Sequence, residues 1–128
     1  MAGIVVDSSV LIDHLRGSAE ATEFLEEARR RGPVQVPALA AWELWKGATT
    51  PRHRAGVHDL LSSLEVDPFG PAMAQLAGEL HVRLAAGSRM PPTYDLLIAS
   101  HALLRGFAVA TRDRDYSAIP GLQVVRVG

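Results

Sequence analysis

The segment that decides the fold is Ile4-Val5-Val6-Asp7, near the start of the sequence. Three β-branched residues in a row predict a short buried strand, and the carboxylate of Asp7 follows it. Helical periodicity begins almost at once, from Val10 to Arg16, and Gly17 ends that helix. A buried strand that leads directly into a helix is the first half of a β-α-β unit. Such units predict a parallel sheet covered by helices.

The same alternation continues along the rest of the chain. Apolar runs predict further strands at residues 34–36, 107–110 and 122–127. Periodic segments predict a helix between Ser18 and Gly32, one over 38–46, one after Pro51, one with its apolar stripe over 73–84, and one over 93–104. The pairs Asp67-Pro68 and Gly70-Pro71 predict a turn. We therefore expect one α/β domain over residues 1–128, with a largely parallel sheet of about four to five strands.

Composition narrows the class of protein. The chain has 128 residues, which fits a single domain, and 48% of them are hydrophobic, as in an ordinary globular core. The formal net charge of -1 argues against a protein that holds nucleic acid by bulk positive charge alone. Cysteine is absent, which excludes disulfides, thiol nucleophiles and iron–sulfur clusters. No stretch approaches the roughly 18 apolar residues of a membrane span, so we expect a cytoplasmic protein.

Four acidic residues fall at one edge of the expected sheet. Asp7 directly follows the first strand, and Asp113 follows the strand over 107–110 by three residues. Asp95 lies at the start of the helix that feeds that strand, and Glu43 lies in the half of its helix nearer the same edge. Open α/β sheets place their ligand sites at the carboxyl edge. We therefore expect these four carboxylates to converge there.

Each of the four also has an ordinary structural explanation. Asp7 is a good cap for the helix that follows it, and Asp95 suits the first turn of a helix. Asp113 suits a turn, and Glu43 could be a solvated helix residue. Glu43 is nevertheless the only charge in an apolar stretch, where we expect it to be partly buried. Taken one at a time, these explanations do not account for four carboxylates at one edge.

Clustered carboxylates of this kind call for a cation. Like charges in a small pocket repel and raise one another's pKa, and a hard divalent cation relieves that repulsion. An all-oxygen site without His or Cys clusters suits Mg²⁺ or Mn²⁺. Such an ion lowers the pKa of a bound water and neutralises phosphate charge, while helix N-termini at the same edge favour anions. The pattern therefore predicts metal-dependent hydrolysis of a phosphodiester.

The same residues carry a resemblance to a known family. Four segments match its motifs in order and spacing: Val5-Val6-Asp7-Ser8-Ser9, Glu43-Leu44-x-x-Gly47, Asp95-Leu96-Leu97-Ile98-Ala99 and Thr111-Arg112-Asp113. Over essentially its whole length the chain resembles the PIN-domain ribonucleases, and specifically the VapC-type toxins of bacterial toxin–antitoxin pairs. The resemblance implies a three-layer α/β/α sandwich and Mg²⁺- or Mn²⁺-dependent endoribonuclease activity.

The resemblance also implies roles for the four acidic residues. Asp7 and Asp95 would bind the metal directly, and Glu43 and Asp113 would complete the acidic cluster through the metal or its waters. Since Asp113 occupies the family's position after Thr-x, we include it among the metal ligands.

Further implications concern hydroxyls and partners. Ser9 and Thr111 match positions that family members use to order the acidic cluster. The family forms homodimers, and its toxins bind a cognate antitoxin whose tail covers the active-site groove. We therefore expect a homodimer and a toxin–antitoxin hetero-oligomer.

The segment after the fourth strand leaves some assignments open. Asp115 is an alternative that would join or replace Asp113 in the site. Arg112 and Arg114 flank the acidic edge and are candidate phosphate contacts. We interpret Asp13, on the first helix, as a solvated side chain.

Two apolar features have alternative interpretations. Trp42 and Trp45 either pack in the core, which we expect, or anchor a partner's tail. The stripe from Met73 to Leu84 belongs to the core or to a dimer interface.

The leading hypothesis is a toxin ribonuclease in which a metal-activated water attacks an RNA phosphodiester. Asp7→Asn or Asp95→Asn should abolish cleavage with little loss of folding. The alternatives are a metal nuclease acting on DNA or structured nucleic acid, and a non-catalytic interaction module that keeps the fold. Digestion of RNA and DNA side by side separates these possibilities.

Overall fold

Strands and pairs of helices alternate along most of the chain, which agrees with the α/β class that the sequence predicts. A computed structural model describes residues 3–87, 90–113, 116 and 119–128. The strands there are β1 (Ile4–Val6), β2 (Val34–Pro37), β3 (Glu65–Asp67), β4 (Ala108–Thr111) and β5 (Val124–Arg126). The helices are α1 (Ser8–Leu15), α2 (Ala19–Arg31), α3 (Ala38–Gly47), α4 (Pro51–Ser62), α5 (Pro71–Ala85) and α6 (Thr93–Arg105).

The five strands form one parallel sheet in the order β3-β2-β1-β4-β5. Successive side chains of a strand point to opposite faces, yet Val5 and Val6 of β1 are both fully buried. Helices therefore cover both faces of the sheet, as parallel sheets require. The predicted α/β class and its parallel sheet are confirmed. Because the strands are parallel, their carboxyl ends share one edge, and β1 lies at the centre of it.

β3 occupies a place where the sequence predicted only a turn. Its register pairs Gln35 with Glu65 and Pro37 with Asp67, so it is an edge strand beside β2. Two of its three residues are acidic, and both Glu65 and Val66 are exposed. A strand this short and polar has no apolar run by which it could be predicted. It is a strand because it pairs with β2 in the sheet.

A buried polar cluster connects α6 to β2 and β3. The Nε2 atom of His101 lies 2.9 Å from the Asp67 carboxylate and 3.3 Å from Oε1 of Gln35. Since both neighbours accept hydrogen bonds, Nε2 carries the proton and donates. The guanidinium of Arg105 donates twice to the same Asp67 oxygen, at 2.6 and 3.0 Å. His101 is thus a packed, hydrogen-bonded histidine in the interior.

Side-chain caps set several helix ends. Asp7 caps α1, which starts at Ser8, two residues earlier than its apolar pattern indicates. Ser18 caps α2, and Thr50 caps α4 with Pro51 in its first turn. Gly106 ends α6 in a left-handed conformation with a φ of 72°, which favours glycine. Within the described residues, no helix combines the length and the apolar character needed to cross a bilayer.

Candidate functional site

Asp7 lies at the carboxyl end of the central strand, and its carboxylate is held on both oxygens. Its Oδ1 accepts from the backbone N–H of Ser8 at 2.7 Å. Its Oδ2 accepts from the Thr111 hydroxyl at 2.9 Å and from the Ser9 hydroxyl at 3.3 Å. β4 lies beside β1, so Thr111 reaches Asp7 directly from the next strand end. Asp7 is therefore a fixed, buried acid at the centre of the sheet edge.

The two hydroxyls also bind the segment that follows β4. The Thr111 hydroxyl oxygen accepts from the backbone N–H of Asp113 at 2.9 Å. The Ser9 hydroxyl oxygen accepts from the backbone N–H of Arg112 at 3.1 Å and lies 3.4 Å from that of Thr111. Ser9 and Thr111 thus connect the start of α1 to the exit of β4. This arrangement places Asp113 next to Asp7.

The electrostatics of Asp7 reflect these neighbours. Burial raises the pKa of the Asp7 carboxyl above its ordinary value, and the negative charge of Asp113 raises it further. The hydrogen bonds from Thr111, Ser8 and Ser9 oppose that rise because they favour the ionised form. The site therefore holds a carboxylate whose ionised form is only partly compensated by the protein.

Asp95 and Glu43 join the same electrostatic neighbourhood. Asp95 is buried in the first turn of α6. Burial raises the pKa of Tyr116 most strongly, and the charges of Asp7, Asp95 and Asp113 raise it further.

Tyr94 responds to Glu43 in the same way. Burial is the largest cause of its raised pKa, and the charges of Asp7 and Glu43 add to it. Each of the four carboxylates therefore acts on at least one of the two tyrosines, and Asp7 acts on both.

The carboxylates do not form a ready-made metal cage. Across residues 3–87, 90–113, 116 and 119–128, no three His, Asp or Glu side chains are grouped so that they could hold a metal ion. The donor chemistry nevertheless fits a hard cation, since the available ligands are carboxylate oxygens and the ionised form of Asp7 is destabilised by burial. A cation would have to draw these side chains together.

Glu43 lies on α3 at the edge of a groove. Its side chain is partly buried, as expected from its apolar context, and Lys46 Nζ lies 3.2 Å from its carboxylate. The groove has a volume of about 390 Å³ and runs between α1, α3 and α4. Its apolar lining comes largely from Ile12, Leu15, Leu44 and Val57. The groove therefore joins an apolar surface to one of the four acids.

Trp42 corrects one of our expectations. It is 54% exposed, so the prediction that it packs in the core is wrong. Ala40, Ala41 and Leu44 fill the buried face of α3, and Trp42 instead stacks under the Lys46 ammonium, 4.5 Å from its ring centre. Trp45 is partly buried and packs against the core, as expected.

The segment after β4 also differs from expectation. Asp13 is not a free solvated side chain, because its carboxylate accepts from Arg112 at 2.8 Å. Arg112 therefore already forms an ion pair within the protein. Arg114 and Asp115 lie outside the described residues.

Sequence reasoning missed both tyrosines. The Tyr94 hydroxyl donates to the Ser8 hydroxyl at 3.2 Å, and Tyr116 is buried beside the acids. The only signal in the sequence is adjacency, because Tyr94 directly precedes Asp95 and Tyr116 directly follows Asp115.

Comparison with known proteins agrees with this architecture. The family profile of the PIN domain matches residues 4–122. Ribonuclease VapC10 of Mycobacterium tuberculosis is 36% identical over 108 residues, which cover 84% of this chain and 80% of that protein. A DNA-bound VapBC structure from Salmonella typhimurium has a TM-score of 0.85 and 27% identity, and covers 98% of both chains. VapBC-5 of M. tuberculosis, from the VapBC family of toxin–antitoxin systems, has a TM-score of 0.72 and 27% identity, covering 99% of this chain and all of that one.

Proposed function

The chain belongs to the PIN domain family, and from this membership we infer that it is a metal-dependent endoribonuclease, the toxin of a toxin–antitoxin pair. The single observation that carries the chemistry is the convergence of carboxylate charge at the carboxyl edge of the sheet. Asp7, Asp95 and Asp113 all act on the buried Tyr116, although more than a hundred residues separate the first from the last. Carboxylates gathered in this way suit phosphodiester hydrolysis with a divalent cation.

Asp7, Asp95 and Asp113 would hold Mg²⁺ or Mn²⁺, and Glu43 would contribute through bound water. A divalent cation at this site lowers the pKa of a water and neutralises charge on the phosphate. The protein supplies orientation: Ser8, Ser9 and Thr111 fix both oxygens of Asp7 before any ligand arrives.

Substrate binding would use the same edge. α1 and α6 both begin at the acidic site, and the free N–H groups of a helix N-terminus favour phosphate oxygens. Arg112 and Arg114 remain our candidate phosphate contacts. RNA that reaches Arg112 competes with Asp13 for its guanidinium.

The direct test compares wild type with Asp95→Asn. Each is incubated with total RNA and, separately, with DNA in Mn²⁺, and new 5′ ends are mapped. We expect cleavage of RNA by wild type and a loss of about 10²–10³-fold in the variant, the usual effect of removing one electrostatic group from an active site. Asp59→Asn on α4, whose carboxylate is exposed, is the matched control and should cleave at the wild-type rate.

Each alternative predicts a different result. Preferential cutting of DNA favours the nuclease that acts on DNA or structured nucleic acid. Absence of cutting by wild type favours the non-catalytic module. Equal RNA cleavage by wild type and Asp95→Asn contradicts the assignment of the site.

We also propose that a cognate antitoxin binds this protein in the cytoplasm and covers the groove between α1, α3 and α4. The family membership and the apolar lining of the groove, which extends from Glu43, support this proposal. Trp42 and Leu15 are exposed, and an antitoxin tail would bury them.

A homodimer is a further part of the proposal. Met73, Ala77 and Leu80 of the α5 stripe are buried within the subunit, so they belong to the core. Val82 lies exposed on the same helix and is available to a second copy. Light scattering of the purified protein measures the oligomeric state directly, and a monomer across the working concentrations contradicts the dimer.

A further inference from the structure

The hydroxyl of Tyr116 is an anomaly in an otherwise well-bonded interior. Tyr116 is 1% exposed, and it supplies the only buried side-chain polar atom in the described part of the chain that has no hydrogen-bond partner. Burying a hydroxyl without a partner costs free energy that a phenylalanine would not cost. Native proteins keep few such groups, so each calls for a reason.

Tyr116 packs in the hydrophobic core, and the charged groups that act on it are carboxylates. A tyrosine phenol is protonated at neutral pH, and the negative charges of Asp7, Asp95 and Asp113 favour that form further. Ionised carboxylates accept hydrogen bonds and donate none. The Tyr116 hydroxyl can therefore act only as a donor toward them.

The three carboxylates differ in their burial and in the hydrogen bonds that the structure gives them. Both oxygens of Asp7 already accept hydrogen bonds. Asp113 is exposed, so water can serve it. Asp95 is buried and already takes part in an interaction, and the four lone-pair sites of a carboxylate leave room for a further donor. Asp95 also comes directly after Asp7 in the size of its effect on Tyr116.

We propose that Tyr116 is a positioning residue of the site, whose hydroxyl donates a hydrogen bond to the Asp95 carboxylate when a divalent cation gathers the acidic side chains. The inference rests on the proposed function, because it assigns Asp95 to the cation. It explains why the hydroxyl has no partner: the bond belongs to the occupied site.

The test is Tyr116→Phe, which removes one oxygen and keeps the ring. The metal-free variant should melt at the same temperature as wild type or about 2–4 °C higher, because an unsatisfied hydroxyl is gone. Its Mn²⁺ affinity, measured by calorimetry without RNA, should fall about tenfold, as when an outer partner of a metal ligand is removed. The Mn²⁺ concentration for half-maximal RNA cleavage should rise by the same factor.

Tyr94→Phe is the matched comparison, since it removes the other phenol hydroxyl near the acids. The Tyr94 hydroxyl already donates to Ser8, so its removal should lower the metal-free melting temperature. Tyr94→Phe should thus lower the metal-free melting temperature, whereas Tyr116→Phe should raise it or leave it unchanged.

Three results would overturn the inference. Unchanged Mn²⁺ affinity in Tyr116→Phe contradicts it, whatever the melting temperature. A lower metal-free melting temperature in Tyr116→Phe shows that the hydroxyl has a structural partner. If wild type neither binds Mn²⁺ nor cleaves RNA, the proposed function fails and the inference fails with it. If wild type and Tyr116→Phe bind Mn²⁺ and cleave RNA equally well, the inference fails and the proposed function stands.

Discussion

At the residue scale, the Thr111 hydroxyl joins two acids that are remote in sequence. It donates to the Asp7 carboxylate and accepts from the backbone N–H of Asp113, both at 2.9 Å. The side chain is fully buried, and the Asp7 carboxylate that accepts from it is also buried. Thr111 therefore sets the distance between two of the four acids.

Thr111→Val keeps the shape of this residue and removes both hydrogen bonds. We expect the free energy of unfolding to fall by about 1–3 kcal/mol, because the buried Asp7 carboxylate and the Asp113 N–H lose a hydrogen-bond partner. The pKa of Asp7 should rise further, since the Thr111 hydrogen bond now opposes its rise. Urea unfolding at pH 7 measures the first effect. RNA cleavage should fall as well.

Two further variants make the Thr111 prediction decisive. Thr111→Ser retains the hydroxyl and should recover most of the cleavage activity. Thr49→Val changes an exposed threonine and should match wild type. A Thr111→Val protein as stable and active as wild type would show that the hydroxyl does not organise the site.

Part of this detail can be predicted from the sequence. Asp7 and Asp113 follow predicted strands, and parallel strands end at one edge, so their proximity can be predicted. The role of Tyr116 cannot, because periodicity reports which face a side chain occupies and not whether its hydroxyl finds a partner. The pairing of Arg112 with Asp13 is hidden for a similar reason, since 99 residues separate them.

At the scale of elements, α1, α3 and α4 form the groove that we assign to the antitoxin. Leu15 at the end of α1 lines the groove and is 39% exposed. An exposed apolar residue beside a groove commonly marks a contact surface. Introducing a charge there should disturb partner binding more than folding.

Leu15→Glu should therefore leave RNA cleavage and melting temperature near the wild-type values. Inhibition by the antitoxin should weaken by tenfold or more, about the effect of losing one apolar anchor in an interface. The measurement is titration of cleavage with the purified cognate antitoxin.

Leu104→Glu is the matched control for the groove. Leu104 is 42% exposed on α6, and it is not among the residues that line the groove. Equal inhibition of wild type, Leu15→Glu and Leu104→Glu would place the antitoxin elsewhere.

The limits of prediction from sequence are visible in two elements. α6 is predicted almost to its ends, because it carries a long apolar pattern and Gly106 ends it. β3 is missed, since Glu65-Val66-Asp67 has too little apolar character and gains its structure from pairing with β2. Trp42 was misplaced because a periodic pattern does not decide which of two neighbouring aromatic residues lies inside.

At the scale of the whole molecule, the His101 cluster makes stability depend on pH. Burial lowers the pKa of His101 below its ordinary 6.5, and the positive charge of Arg105 lowers it further. The negative charges of Asp67 and Glu65 on β3 oppose that shift. Near pH 6, the His101 imidazole is therefore protonated to a greater extent in the unfolded chain than in the folded protein. This contribution to stability is complete above pH 6.5 and declines as pH falls below it.

His101 should therefore destabilise wild type at pH 5 relative to pH 7.5, by at most about 1.4 kcal/mol per pH unit, while the raised pKa of Asp7 acts in the opposite direction. His101→Gln should be less stable at pH 7.5, because the interior hydrogen bonds are perturbed, but should depend less on pH. Urea unfolding at several pH values gives both quantities.

His81→Gln, which changes an exposed histidine on α5, should keep the wild-type dependence on pH. The same slope in His101→Gln as in wild type would show that the buried histidine does not cause it.

The bond between Thr111 and Asp7 spans 104 positions of the sequence, and this separation has a consequence for biosynthesis. A ribosome that has made the first hundred residues has made Asp7, Glu43 and Asp95, but not the strand that completes their surroundings. Nascent or prematurely terminated chains therefore lack the assembled centre. The activity that we propose becomes possible only after β4 and Asp113 have emerged from the ribosome.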